Sequence, residues 1–177
     1  MCIRDSPYVI ARGTAFYERK EIKDALAYLR IVANPSDEVS LRRIVNVPTR
    51  GIGSTTLDKI EMWALQRQLN LFEAMKQASR GGLDLNARAA GAIARFTTMV
   101  EMWRDAASSG GFDGFMGAAP TEKAALAQLV ERIIKESGLE GMYRNLKNED
   151  DLERLENLNE LINAAADFRP PPPEIGE

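Results

Sequence analysis

Val47-Pro48-Thr49-Arg50-Gly51-Ile52-Gly53-Ser54-Thr55-Thr56-Leu57-Asp58-Lys59-Ile60 lies between two segments of helical periodicity and sets the reading of the whole chain. Gly51 and Gly53 permit backbone conformations and close approaches that a side chain obstructs. A helix starting near Ser54, a good N-cap residue, would turn its free N–H groups and the positive end of its dipole toward the Gly-Ile-Gly hairpin. Arg50 before the hairpin and Lys59 after it would add charge-assisted contacts to an anion. Taken together this is the chemistry of a helix-hairpin-helix that holds a nucleic-acid backbone without reading bases. A Gly-x-Gly between helices serves equally well as a tight connection with a C-cap glycine. The apolar positions Ile44, Val47, Ile52, Leu57 and Ile60 favour the first reading, because they would pin both helices and hold the hairpin rigid.

With 177 residues the chain has length for one domain with a real core or for two small ones. It has no histidine, and Cys2 is the lone cysteine, so a histidine triad, a His/Cys zinc site and a disulfide framework are excluded. No apolar run reaches the length of about 18 residues that spans a bilayer, and no secretory signal pattern opens the chain. The net charge is −3, but residues 1–50 hold nine Lys/Arg against six Asp/Glu, whereas the segment from Asn148 onward holds two against nine. Contact with a nucleic acid is therefore expected to be local and toward the N-terminal half.

Met1-Cys2-Ile3-Arg4-Asp5-Ser6 has neither periodicity nor targeting character and reads as a non-native sequence remnant. Pro7-Tyr8-Val9-Ile10-Ala11 reads as a strand. Thereafter the periodicity predicts helices over 21–33, from a Ser36 or Asp37 cap to Val45, 55–68, from an Asn70 cap to about Ser79, 86–107, from Thr121 to Ser137, 139–146 and 150–168. Residues 108–120 form a glycine-rich loop, and Pro170–Pro173 opens a loop that stops in mid-course. Ala90, Ile93, Phe96, Met99, Val100 and Trp103 form one apolar face, and Leu152, Leu155, Leu158, Leu161 and Ile162 form another that is too short for a zipper. The fold class expected is all-α with one leading strand.

Upstream of the hairpin stands Gly13-Thr14-Ala15-Phe16-Tyr17-Glu18-Arg19-Lys20-Glu21-Ile22-Lys23-Asp24, continuing as Ala27-Tyr28-Leu29-Arg30 and Ala33-Asn34-Pro35. With Arg43-Ile44-Val45-Asn46-Val47-Pro48-Thr49-Arg50-Gly51-Ile52-Gly53, Ser137-Gly138-Leu139, Met142-Tyr143 and Arg154-Leu155-Glu156-Asn157-Leu158-Asn159-Glu160-Leu161, it closely resembles UvrD/PcrA/Rep-type superfamily 1 DNA helicases. The resemblance runs in order over roughly residues 7–169. It departs at Arg12-Gly13, where the family usually has Gly-Gly.

The resemblance implies a strand and hinge of the motor over 7–20 and a helical 2B-type subdomain over 21–169, followed by a truncated loop over 170–177. Such a subdomain rotates between orientations and contacts duplex DNA ahead of the fork. The DNA-binding candidates are Arg19, Lys20, Thr49, Arg50, Gly51, Ile52, Gly53, Ser54, Thr55 and Lys59. Arg19 and Lys20 at a helix start suit phosphate, while Glu18 and Glu21 beside them suit simple capping. The parent is expected to be a bacterial, cytoplasmic and nucleoid-associated 3′-to-5′ helicase using ATP and Mg2+. No Gly-x-x-x-x-Gly-Lys-Thr/Ser loop occurs in this sequence, so this portion is expected to hold no cofactor, hydrolyse no ATP and unwind nothing alone. Its partner would be duplex DNA near a junction, with repair or transcription proteins as further candidates.

An interaction or adaptor module is the competing class, with the acidic segment 148–177 and Trp63, Phe72 and Trp103 as its candidate surface. Aromatic residues at helical spacing are more often core. Carboxylate pairs such as Glu149/Asp151 or Glu153/Glu156 read as solvated helix faces rather than an acid–base dyad.

Overall fold

The computed structural model describes residues 7–108, 122–144 and 148–168, without the side chains of 7–12 and 122–124. The described residues contain helices and no strand. In order they are α1 (Pro7–Glu18), α2 (Lys20–Ala33), α3 (Glu38–Ile44), α4 (Ser54–Arg67), α5 (Leu71–Gln77), α6 (Ala87–Ser108), α7 (Glu122–Glu136), α8 (Leu139–Arg144) and α9 (Glu149–Asp167). A single π turn, Ala78–Gly82, follows α5. The remnant 1–6, the loop 170–177 and, apart from Ser108, the glycine-rich stretch to residue 120 lie outside the described residues.

The all-α expectation holds, but the leading strand does not. Pro7–Ala11 forms the first turns of α1. A strand needs a neighbouring edge to bond its N–H and C=O groups, and the described residues offer none; a helix satisfies the same groups internally.

Local chemistry explains the other boundaries. Asp37 caps α3 by accepting from the Ser40 N–H at 3.0 Å and its hydroxyl at 2.7 Å, which holds the Asp37 carboxyl below the usual carboxylate range. Asn70 and Asn86 cap α5 and α6 through the N–H groups of Glu73 and Ala89. Gly138, at φ +88, turns the chain from α7 into α8, a conformation that L side chains rarely adopt.

α2 is the centre of the molecule. It packs on α3, α6, α7 and α9, joining the α7–α8–α9 bundle to the group formed by α4, α5, the π turn and α6. Ile22, Ala25, Ala27, Tyr28, Ile31 and Val32 are all buried. So are two carboxylates on the same helix. Glu21 accepts from Asn157 Nδ2 at 2.7 Å, and Asp24 accepts from Arg43 Nε at 2.7 Å and Lys20 Nζ at 3.2 Å. Glu21 is thus a buried link from α2 to α9 rather than an end cap.

The apolar faces follow the predicted periodicity closely. Ile93, Phe96, Val100 and Trp103 are buried, with Met99 packed partly against them. On α9, Leu158 and Leu161 are buried and Leu155 and Ile162 partly so, but Leu152 is 61% exposed. Asp151 takes the inward position instead, accepting from Arg154 Nη1 at 2.9 Å.

Tyr28 and Tyr143 give the core a pH limit. Burial pushes the Tyr28 hydroxyl up to about 12, against the smaller downward pull of Arg50. Burial, reinforced by Asp24 and Glu21, pushes Tyr143 to about 12 as well. Both folded values exceed the unfolded one, so the folded state retains these protons where the unfolded chain sheds them. Their contribution is complete below about pH 10 and disappears as pH rises through about 12. Tyrosinate absorbance of these two residues should therefore rise together with loss of far-UV ellipticity. Ionisation of both well below the unfolding transition would contradict this account.

Candidate nucleic-acid interface

The segment from Val45 to Gly53 leaves α3, reverses, and delivers the chain to the start of α4. Its apolar residues anchor it as expected: Ile44 and Ile60 are fully buried, Ile52 is 3% exposed, and Val47 and Leu57 pack partly against the core. Ile52 therefore acts as a plug. Thr49, Gly51, Gly53, Ser54, Thr55 and Lys59 are exposed around it.

Arg50 departs from the expectation of an outward cation. Its Nη1 donates to the Ile44 and Pro48 carbonyls, both at 3.1 Å, and its Nη2 donates to Tyr28 Oη at 2.6 Å and the Ser137 carbonyl at 2.9 Å. The guanidinium carbon also lies 5.3 Å from the Phe96 ring centre. One side chain thus ties the loop to α2, α3, α6 and the end of α7. The Arg50 N–H completes the brace by donating to Asn46 Oδ1 at 2.7 Å.

The two glycines differ. Gly51 has φ +79, so a side chain there is strained, and a Cβ would lie 3.6 Å from Arg88 Nε. Gly53 is ordinary extended backbone at φ −75 and ψ 158, and its open face would meet only Thr55 Oγ1 at 3.9 Å. Gly53, rather than Ser54, is the N-cap of α4. Its carbonyl accepts from the Thr56 and Leu57 N–H groups, both at 3.1 Å, which places Ser54 in the first turn.

That helix start is electrostatically open. α3, α5 and α6 have side-chain caps, while α2 and α9 carry acidic residues in their first turns. α4 has neither. The N–H groups of Ser54 and Thr55 precede the helix's own bonding ladder and face the positive end of its dipole. Lys59 has no hydrogen bond or ion pair among the described residues.

The second expected contact region is internally paired. Arg19 Nη1 lies 2.6 Å from Glu153 Oε1 on α9, in an exposed pair of the kind that contributes at most about 1 kcal/mol. Lys20 is bonded to Asp24, and Lys23 to Glu18. Arg19 and Lys20 thus sit at the α2–α9 junction.

Two cations were not anticipated. Arg88 lies against Gly51, and Arg95 joins Arg50, Ala92, Phe96 and Met99 around a shallow groove of about 180 Å³. A sequence signal for them exists. Residues 39–57 and 85–100 are the two longest runs without Asp or Glu, and the fold brings them together where Arg88 meets Gly51. A larger cavity, about 470 Å³, lies elsewhere among the described residues, between α1, α2 and α3. Its lining cations Lys23 and Arg43 are bound to Glu18 and Asp24, while Arg30, also in its lining, has no side-chain hydrogen bond or ion pair among the described residues; only the smaller groove adjoins the loop.

The aromatics proposed for a protein-docking surface are core: Trp63 is 9% exposed, Phe72 1% and Trp103 not at all. No helix among the described residues is long and apolar enough to cross a membrane. No group of three His, Cys, Asp or Glu side chains among them is placed to hold a metal ion.

The model of the UvrD-like helicase C-terminal domain matches residues 3–175. Among curated proteins, the chain is 40% identical over 162 residues to DNA helicase II of Escherichia coli strain K12, covering 92% of this chain and 20% of that protein. It is 37% identical over 161 residues to the ATP-dependent DNA helicase PcrA of Bacillus subtilis strain 168, covering 91% and 20%. To DNA helicase II of Rickettsia typhi it is 35% identical over 162 residues, covering 92% and 22%. The chain therefore spans about one fifth of the length of these relatives. A match over nearly every residue, to relatives that are all DNA helicases, means that this chain belongs to the UvrD-like helicase C-terminal domain family.

Proposed function

We propose that residues 21–169 are a 2B-type subdomain that holds duplex DNA by its backbone and gates unwinding by an ATP-dependent 3′-to-5′ helicase. The observation that carries this reading is the open start of α4. Extended Gly53, unbonded first-turn N–H groups and the absence of a side-chain cap or a first-turn acidic residue favour a phosphate there. Thr49 in the loop and Ser54, Thr55 and Lys59 in the first turns of α4 are exposed, and the relatives' names point to DNA as the anion. Arg50 contributes by fixing the loop, and Ile52 by anchoring it. Arg19 and Lys20 would act only where a phosphate displaces their carboxylate partners.

In this reading ATP and Mg2+ serve motor segments of the parent protein, a bacterial cytoplasmic helicase at the nucleoid. This subdomain supplies orientation rather than chemistry. Contacts to backbone phosphates alone give binding that is insensitive to sequence and weakens with salt.

Gly53→Asp tests the reading without disturbing the fold. Aspartate is a strong N-cap residue, and its side chain enters open space. It also sets a carboxylate where the phosphate would sit. Duplex affinity at low salt, measured by fluorescence anisotropy on the 177-residue chain, should fall about tenfold or more, with thermal stability unchanged or raised. Equal affinity of variant and wild type would remove α4 from the interface.

A further inference from the structure

We propose that the exposed edge of α6 carrying Arg88 and Arg95 continues the interface, as a second set of phosphodiester contacts beside the Gly51–Gly53 loop. This inference rests on the reading of that loop as a nucleic-acid contact, and extends it to a helix distant in sequence.

The first ground is proximity. A Cβ built on Gly51 would lie 3.6 Å from Arg88 Nε and 3.7 Å from Nη2, so the guanidinium lies against the bare glycine. The second is availability. Arg42, Arg43, Arg132, Arg144 and Arg154 each pair with a carboxylate, and Arg104 donates to the Val32 carbonyl. Arg88 and Arg95 are exposed and have neither a hydrogen bond nor an ion pair among the described residues.

The third ground is alignment. Seven residues make nearly two helical turns, so Arg88 and Arg95 share a face, with Cα positions about 10 Å apart along the axis. Helical side chains lean toward the N-terminus, and Arg95 does so: its Nη1 lies 3.6 Å from a Cβ built on Gly91. Gly91 and Ala92, between the arginines in sequence, have small side chains, and Arg50 shares with Arg95 the lining of the groove. A planar guanidinium matches two phosphate oxygens at once. No acidic residue occurs from residue 85 to residue 100 to repel such a ligand, in a chain whose net charge is −3.

The test compares four proteins for binding to a short fluorescein-labelled duplex across a salt series: wild type, Arg88→Ala/Arg95→Ala, Gly53→Asp and Arg67→Ala. Alanine at exposed helical positions favours the helix, so thermal stability of the double variant should be retained. Each lost phosphate contact removes about 0.9 from the slope of log K against log salt. The double variant should therefore show a slope shallower by about 1.8, with affinity at low salt reduced at least about tenfold. Arg67→Ala, at the far end of α4, should retain the wild-type slope.

Loss of binding in Gly53→Asp with full affinity and slope in the arginine variant would overturn this inference and leave the loop assignment standing. Absence of salt-sensitive duplex binding by the wild type would overturn both. An equal loss in binding polyglutamate would make the edge a general anion surface and overturn its assignment to nucleic acid.

Discussion

Trp103→Ala should destabilise the folded chain by about 4 kcal/mol, the largest effect expected of a single substitution. Trp103 is fully buried at the junction of α6, α2 and α7. Its indole meets Tyr28 edge-on, with ring centres 5.8 Å apart and planes at 81°. Its Nε1–H donates to Glu136 Oε2 at 2.6 Å. Alanine removes the ring from the centre of the core and leaves a cavity that three helices cannot all close. At about 2–4 °C per kcal/mol for a chain of this size, the melting temperature should fall by about 8–16 °C. The urea midpoint should move to lower concentration at constant m. Trp103→Phe keeps most of the buried area and loses the bond to Glu136, so its cost should be about 1–2 kcal/mol. A loss below about 1 kcal/mol for Trp103→Ala would mean that the three helices do not depend on this contact.

The parts of this molecule that were legible in the sequence rest on local pattern. Asn70 before Leu71 and Phe72, and Asn34-Pro35 after Ala33, fix helix ends by chemistry within a few residues. The anchoring of Ile44, Ile52 and Ile60 also follows from spacing alone. What escaped the sequence depends on residues that are far apart in it. Tyr8, Val9 and Ile10 have strand-forming character, but a strand is defined by a partner. Leu152 fits the α9 stripe, yet Asp151 turns inward because Arg154 supports its carboxylate and the adjoining leucine then faces water. Glu21 and Asp24 are buried because Asn157 and Arg43 meet them from α9 and α3. A binary apolar pattern contains no information about those partners. Arg88 and Arg95 are intermediate: acid-free composition singles out their segment, but only the fold sets it beside Gly51.

Arg50 joins these two lessons, because the cation that looks most suited to phosphate is the one the fold has already engaged. Arg50→Ala should cost about 3 kcal/mol. It withdraws a guanidinium from three carbonyls and from Tyr28 Oη. Ile44, Ser137 and Tyr28 are all buried, which makes those three acceptors the costly ones. Arg50→Lys should recover little, since one ammonium cannot reach four acceptors spread over both arms of a planar fork. Thermal denaturation of the three proteins measures this directly, and a lysine variant as stable as wild type would show that charge alone suffices. The same variants separate two roles for the residue in binding. If Arg50 were a simple phosphate ligand, Arg50→Lys would keep part of the duplex affinity that Arg50→Ala loses, because an ammonium still neutralises a phosphate as a point charge. If it is the brace that aims the open start of α4, lysine and alanine should lose duplex affinity together and in step with stability. Raising stability with an excluded osmolyte should then restore part of the binding in both. Such recovery would not follow from the loss of a direct contact. The loop's grip on an anion is thus expected to depend on a residue that need not touch it, since a rigid frame is what lets uncharged backbone N–H groups act as a binding site.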